Sequence, residues 1–160
     1  MLFPQRRITA SVVRPLRADR AEECARLHAS GFAYPWSVEE IVSLIAGPTA
    51  IGSAALDPAS NKMRGFALSR LAADEAEILT IAVDPAWRKY GVGRDLLRAH
   101  LGSVTLAGAK KIFLEVDANN APALALYRRF QFVKVGERAG YYRRPDGQPA
   151  TALIMRRDLA

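Results

Sequence analysis

The residues best placed by type and spacing to do chemistry form one short run, Arg88-Lys89-Tyr90-Gly91-Val92-Gly93-Arg94. It follows a nearly continuous apolar segment, Glu77-Ile78-Leu79-Thr80-Ile81-Ala82-Val83, which Asp84-Pro85 closes. Two glycines where a strand becomes a helix let the backbone turn tightly and aim several N–H groups at one point. The helix macrodipole adds partial positive charge there, and Arg88, Lys89 and Arg94 add full charges. The chemistry implied is capture of an anion, a pyrophosphate above all. The competing reading is an ordinary strand-to-helix turn, with glycines for packing and arginines for solubility. Two commoner phosphate loops do not fit: Leu96 stands where a Gly-x-Gly-x-x-Gly pattern needs its third glycine, and no Gly-Lys-Ser/Thr ending is present.

Few other side chains compete. Cys24 is the only cysteine, which excludes an intramolecular disulfide, and with no flanking basic pair it reads as a core residue rather than a reactive thiol. Cys24, His28 and His100 have no zinc-site spacing, so no metal is expected. Both histidines read as surface or packing residues, and no Cys-His or Ser-His pair suggests a covalent nucleophile.

Elements must hold the turn in place. Residues 7–13 read as a first strand, and Asp19 offers a cap for a helix over 21–30. Ser37-Val38-Glu39-Glu40 is a capping box opening a second helix, which ends at Gly47-Pro48. Residues 49–56 and 63–71 form an expected hairpin. The apolar strand 77–83 has the composition of one covered on both faces. From Gly91, the residues Val92, Leu96, Leu97, Leu101 and Val104 share a helical face. A strand over 111–116 follows, then a helix capped by Asn119 or Asn120, a strand starting over 132–136, and a last strand over 151–155. The order is mixed α/β, and its central βαβα unit allows a parallel pair.

With 160 residues and 50% hydrophobic content, the chain suits a single domain, 1–160, that builds its own core. No apolar run is long enough for a bilayer, and Met1-Leu2-Phe3-Pro4-Gln5-Arg6-Arg7 lacks a signal-peptide core, so a cytoplasmic location is expected. Lys and Arg number 23 against 16 acidic residues, a formal charge of +7 that suits a phosphate-bearing or otherwise negative partner. The excess gathers late: Arg128, Arg129, Lys134, Arg138, Arg143, Arg144, Arg156 and Arg157 face only Glu137, Asp146 and Asp158.

The pattern Arg88-x-x-Gly91-x-Gly93 after Ile81-Ala82-Val83-Asp84-Pro85 resembles the acetyl-CoA motif of the GNAT superfamily of acetyltransferases. Phe113-Leu114-Glu115-Val116-Asp117-Ala118-Asn119-Asn120-Ala121, then Ala125-Leu126-Tyr127 and Phe132, resembles its RimI type, enzymes that acetylate the N-terminal amine of a small-subunit ribosomal protein. The likeness implies a mixed, mostly antiparallel sheet of about seven strands, with a parallel pair at the cofactor site and about four flanking helices. It further implies acetyl-CoA as cosubstrate. Ile81, Ala82 and Val83 would meet its pantetheine and acetyl end, residues from Arg88 through Lys89, Tyr90, Gly91, Val92, Gly93 and Arg94 its pyrophosphate, and Asn120 would also touch it.

By the same resemblance Glu115 would be the general base and Tyr127 the general acid. Read from the sequence alone, Glu115 could instead be a solvated carboxylate or pair with Lys110 or Lys111, and Tyr127 could be a member of the core stripe. Tyr34, Trp36, Tyr141 and Tyr142 look like substrate-side aromatics, and each could equally cover the core. Three positions depart from the RimI pattern: Asp117 in place of an arginine, Gln131 in place of a helix-ending glycine, and Ala150-Thr151-Ala152 in place of an acidic pair.

A protein N-terminus is the expected acceptor. A lysine side chain or a small amine stands as an alternative. Two readings of another kind are a basic ribosome- or nucleic-acid-binding module and a non-catalytic acetyl-CoA sensor.

Overall fold

Local preference and strand pairing together set where each element stops. The computed structural model describes residues 8–32, 34–144 and 146–159, with the side chains of Tyr141 and Tyr142 outside that set. The expectations on Met1-Leu2-Phe3-Pro4-Gln5-Arg6-Arg7 therefore lie outside the described residues. In chain order the elements are β1 Val12–Pro15, α1 Ala21–Ala29, α2 Val38–Ala46, β2 Ala50–Leu56, β3 Met63–Ala72, β4 Glu75–Val83, α3 Val92–Leu106, β5 Lys111–Asp117, α4 Ala121–Arg129, β6 Val133–Arg143 and β7 Pro149–Asp158. They build one seven-stranded sheet of order β1-β2-β3-β4-β5-β7-β6, antiparallel throughout except for the parallel pair β4 and β5. This is the architecture expected.

Several boundaries differ, each for a physical reason. β1 begins at Val12 because that residue pairs with Leu56, the last residue of β2, so residues before it have no partner there. Asp19 does not cap α1: it sits in a 3-10 turn, Ala18–Arg20, that runs straight into the helix, and the backbone of that turn satisfies the first donors. The Ser37 cap is as expected, its Oγ accepting the Glu40 N–H at 3.1 Å. β6 and β7 extend well past the apolar stretches that announced them, because each supplies the other's ladder from Val133↔Arg156 out to Arg143↔Pro149.

The core divides by face of the sheet. On one side α3 and α4 bury Leu97, Leu101, Val104, Leu124 and Tyr127 against Ile112, Leu114 and Val116 of β5. On the other, α1 and α2 bury Cys24, Leu27 and Ile41 against Phe66 and Ala82. Cys24 is fully buried, and burial pushes its thiol up to about 12, in keeping with a core residue.

His100, buried within α3, ties that helix to the sheet. Its Nδ1 lies 2.8 Å from Ser53 Oγ on β2 and its Nε2 2.6 Å from Ser69 Oγ on β3. His28 is also buried, so neither histidine is a surface residue.

Candidate active site

The glycine turn is built as an anion cradle. Gly91 is the N-cap of α3 in the left-handed region, φ 79°, and Lys89 is left-handed as well at 67°. Glycine is favoured here by its φ; a Cβ on Gly91 would also come within 2.9 Å of Arg94 Nη2, the mobile end of a long side chain that can swing aside. The first helical bond runs from the Asp95 N–H to the Gly91 carbonyl, which leaves the N–H groups of residues 89–94 without a backbone acceptor. Six backbone donors are thereby left for an anion at the positive end of the helix.

The turn rests on a buried arginine that the sequence reading passed over. Asp84 Oδ1 accepts the Ala86 N–H and opens a 3-10 turn, Pro85–Trp87. The Trp87 ring lies 3.9 Å beneath the Arg64 guanidinium and meets Tyr90 edge-on at 5.9 Å. Arg64 is held in turn by Asp57 at 2.7 Å and by the Thr9 carbonyl at 2.8 Å. The available signal was a lone charge inside the buried run Met63-Arg64-Gly65-Phe66.

Beside this cradle the sheet splits. β4 and β5 pair only at Glu75↔Lys111, Ala76↔Ile112 and Glu77↔Phe113. Beyond that point β4 stays with β3 as far as Val83↔Gly65, and β5 stays with β7 as far as Asp117↔Ala152. A register shift between Leu68 and Ser69 sets Leu79 out of the β3 ladder where the separation begins. Residues 78–83 and 114–117 thus face each other across a wedge with unpaired backbone edges, and Ile81, Ala82 and Val83 lie on the wall that leads to the cradle.

Glu115 and Tyr127 stand on opposite sides of β5. Leu114 and Val116 point into the α3/α4 core, where Tyr127 is buried; Glu115 lies on the other face with 31% of its side chain exposed. Its ion-pair partner is Arg138 at 3.5 Å, not Lys110 or Lys111. Burial pushes the Tyr127 phenol up to about 12. Asn120 caps α4, its Oδ1 accepting the Ala123 N–H at 3.2 Å.

The acetyltransferase (GNAT) family profile matches residues 14–132. The chain belongs to the GNAT family of acetyltransferases. It is 38% identical over 96 residues to the Escherichia coli (strain K12) [ribosomal protein bS18]-alanine N-acetyltransferase, a match covering 60% of this chain and 64% of that protein. It therefore spans somewhat under two thirds of that relative's length. It is also 38% identical over 150 residues to the Mycobacterium tuberculosis N-alpha-acetyltransferase RimI, covering 89% of this chain and 88% of the other. The crystal structure of the ribosomal-protein-S18-alanine N-acetyltransferase from Escherichia coli superimposes with a TM-score of 0.86 over 94% of each chain at 29% identity.

Within this GNAT frame, Gln131 keeps the helix stop that glycine would make. It takes φ 68°, its N–H bonds the Arg128 carbonyl at 2.9 Å, and the Phe132 N–H bonds the Tyr127 carbonyl at 3.0 Å. This is a Schellman motif whose apolar contact is Tyr127 against Phe132, so the stop also orients the tyrosine.

The candidate acceptor aromatics do not behave alike. Tyr34 is 76% exposed, whereas Trp36 stacks on His28 at 4.5 Å and donates its backbone N–H to His28 Nδ1 at 3.1 Å. His28 stacks in turn on Phe32 at 4.1 Å, and burial lowers its pKa. Tyr141 and Tyr142 belong to β6, with side chains outside the described residues.

Proposed function

We propose that this chain is an acetyl-CoA-dependent N-acetyltransferase that acetylates a protein N-terminal α-amine, a ribosomal protein's by likeness to its relatives. The observation that carries the reading is the wedge between β4 and β5, whose open backbone edges lead to six unshared N–H groups at the start of α3. An extended amide-bearing chain can pair with such edges, and a pyrophosphate suits such a helix start. Acetyl-CoA, when bound, supplies the acetyl group already activated as a thioester. Ile81, Ala82 and Val83 would hold its pantetheine arm; Arg88, Lys89, Tyr90, Gly91, Val92, Gly93 and Arg94 its pyrophosphate; Asn120 would lie alongside.

The transfer needs a neutral amine and a proton for the leaving sulfur. As the C–N bond forms and the C–S bond breaks, Glu115 accepts the amine proton directly or through water, and the Tyr127 phenol gives its proton to sulfur. A phenol raised to about 12 stays protonated at every physiological pH, and the desolvation that raises it also raises a departing thiolate's conjugate acid. An α-amine, with a pKa of about 7.7–8.0 against about 10.4 for lysine, reaches the neutral form with less help. Direct attack calls for no metal. Tyr34, Trp36, Tyr141 and Tyr142 would line the acceptor side. No helix among the described residues is long and apolar enough to cross a membrane, and we assign the enzyme to the cytoplasm.

The test is transfer of labelled acetyl from acetyl-CoA to peptides with free N-termini, to N-blocked lysine peptides and to small amines. Glu115→Gln and Tyr127→Phe should each lower turnover about 100-fold or more while acetyl-CoA affinity changes little. Unchanged turnover in both variants would remove the acid–base assignment, transfer only to lysine or small amines would remove the acceptor, and binding without transfer would make the protein a sensor.

One further feature favours association with a polyanion such as ribosomal RNA. At the end of the sheet away from the wedge, a groove of about 570 Å³ is lined by Arg98, Arg129 and Arg157 beside Leu101, Phe130 and Leu159. A smaller one of about 260 Å³ continues it past Arg156.

A further inference from the structure

Asp117 ends β5 and serves three elements at once. Its Oδ1 accepts the Asn119 N–H at 2.8 Å, and its carbonyl accepts the Asn120 N–H at 2.9 Å, which together shape the entry to α4. The neighbouring Ala118 N–H reaches the Thr151 carbonyl at 2.9 Å, fastening the strand end to β7. Across 27 residues of chain, Arg144 grips the same carboxylate with two nitrogens, Nε to Oδ2 at 3.0 Å and Nη2 to Oδ1 at 3.1 Å.

This two-pronged grip differs from the other ion pairs near the site. Planar fork-to-carboxylate pairing fixes orientation as well as distance, and both side chains are largely covered, 27% and 21% exposed. The pairing holds the Asp117 carboxyl below the usual carboxylate range. Arg144 itself is set by the end of the hairpin: its N–H donates to the Gln148 carbonyl at 2.9 Å and its carbonyl accepts the Gly147 N–H at 2.8 Å. The hairpin needs such an anchor, because β6 is an edge strand whose pairing with β7 is interrupted between Arg138 and Tyr142, where Gly140 is left-handed at φ 61°.

We propose that the Asp117–Arg144 pair is a positioning latch that fixes the outer β6–β7 hairpin beside the start of α4 and so sets affinity for the acceptor. The inference rests on the acetyl-transfer reading above. Glu115 and Asp117 alternate onto the same face of β5, and Arg138 and Arg144 reach them from the β6 side. An amine delivered to Glu115 must approach over that face, so the hairpin forms one wall of its path. The anion cradle lies at the far side of the wedge, on the turn after β4. Releasing the latch therefore acts on the acceptor and spares acetyl-CoA.

The sign of the effect separates geometry from charge. If Arg144 merely neutralised Asp117, removing it would expose a carboxylate next to Glu115 and draw a cationic amine in, lowering its KM. A latch predicts the opposite.

The experiment compares the full-length wild type with Asp117→Asn, Arg144→Gln and the double variant, using acetyl-CoA and free-N-terminus peptides. Asp117→Asn keeps an oxygen for the Asn119 N–H while losing the ion pair. Each single change should raise acceptor KM about tenfold, with kcat and acetyl-CoA affinity within about twofold, and the double variant should be no worse than either single. Amide exchange over residues 140–148 should quicken in all three variants. A fall in KM, additive effects in the double variant, or unchanged exchange would overturn the latch. If the wild type acetylates no peptide, the acceptor assignment fails, and the exchange measurement still decides the latch.

Discussion

His100 shows what one side chain can hold together. A neutral imidazole has one donor and one acceptor, and each finds a serine hydroxyl, Ser53 on one side and Ser69 on the other. Burial drops its pKa to about 4, so below the ordinary value of 6.5 the unfolded chain takes up a proton that the folded chain refuses. Stability contributed by the neutral ring is complete above that ordinary value and drains away as pH falls towards 4, by about 3 kcal/mol in all. Urea midpoints measured at neutral pH and at about pH 4.5 should differ accordingly, and His100→Gln should flatten that acid limb. The trio was not readable in the sequence, where position 100 reads as either a surface or a packing residue and nothing shows which strand residues it meets. Glu115 illustrates the same limit. Lys111 is its neighbour in sequence on the same strand, yet the cation that reaches it is Arg138, two strands away in the sheet order β5-β7-β6.

At the level of elements, caps were more legible than ends. Ser37 caps α2 as expected, Asn120 is the one of two candidate asparagines that caps α4, and α3 opens at Gly91, because a cap is a local contract between one side chain or one φ and the next few donors; Asp19 fails because a 3-10 turn takes its place. β6 and β7 outran their expected limits because pairing between two chain segments, not composition, decides how far an edge strand continues. The Gln131 stop gives a direct test. Glycine avoids the left-handed penalty but loses more chain entropy on folding, so Gln131→Gly should stabilise the protein by about 0.5–1 kcal/mol. Thermal unfolding would measure it. A loss of stability would mean that the glutamine side chain contributes through contacts of its own in the arginine-lined groove.

For the whole molecule, charge and topology divide the work between two ends of the sheet. The wedge and its cradle lie where β4 and β5 have parted; the arginine-lined groove lies at the opposite end, beside Leu106, which is 91% exposed. Binding of a single-stranded RNA oligonucleotide should weaken steeply with salt, and Arg129→Glu with Arg157→Glu should weaken it about tenfold or more while acetyl transfer to free peptides is unchanged. Fluorescence anisotropy at several ionic strengths would report it; no binding at low salt would remove the second reading. Sequence reading located the excess of positive charge but not the groove, which forms only when the ends of α3, α4 and β7 come together.

The three residue pairs that join β4 to β5 also have a mechanical meaning. They make the sheet two blades, β1 to β4 and β5-β7-β6, riveted at one end and open at the other. Glu115 and the hairpin belong to one blade, the anion turn to the other. A ligand that hydrogen-bonds both open edges would act as a splint across the joint, stiffening the molecule as a unit while bringing its two halves of chemistry into register.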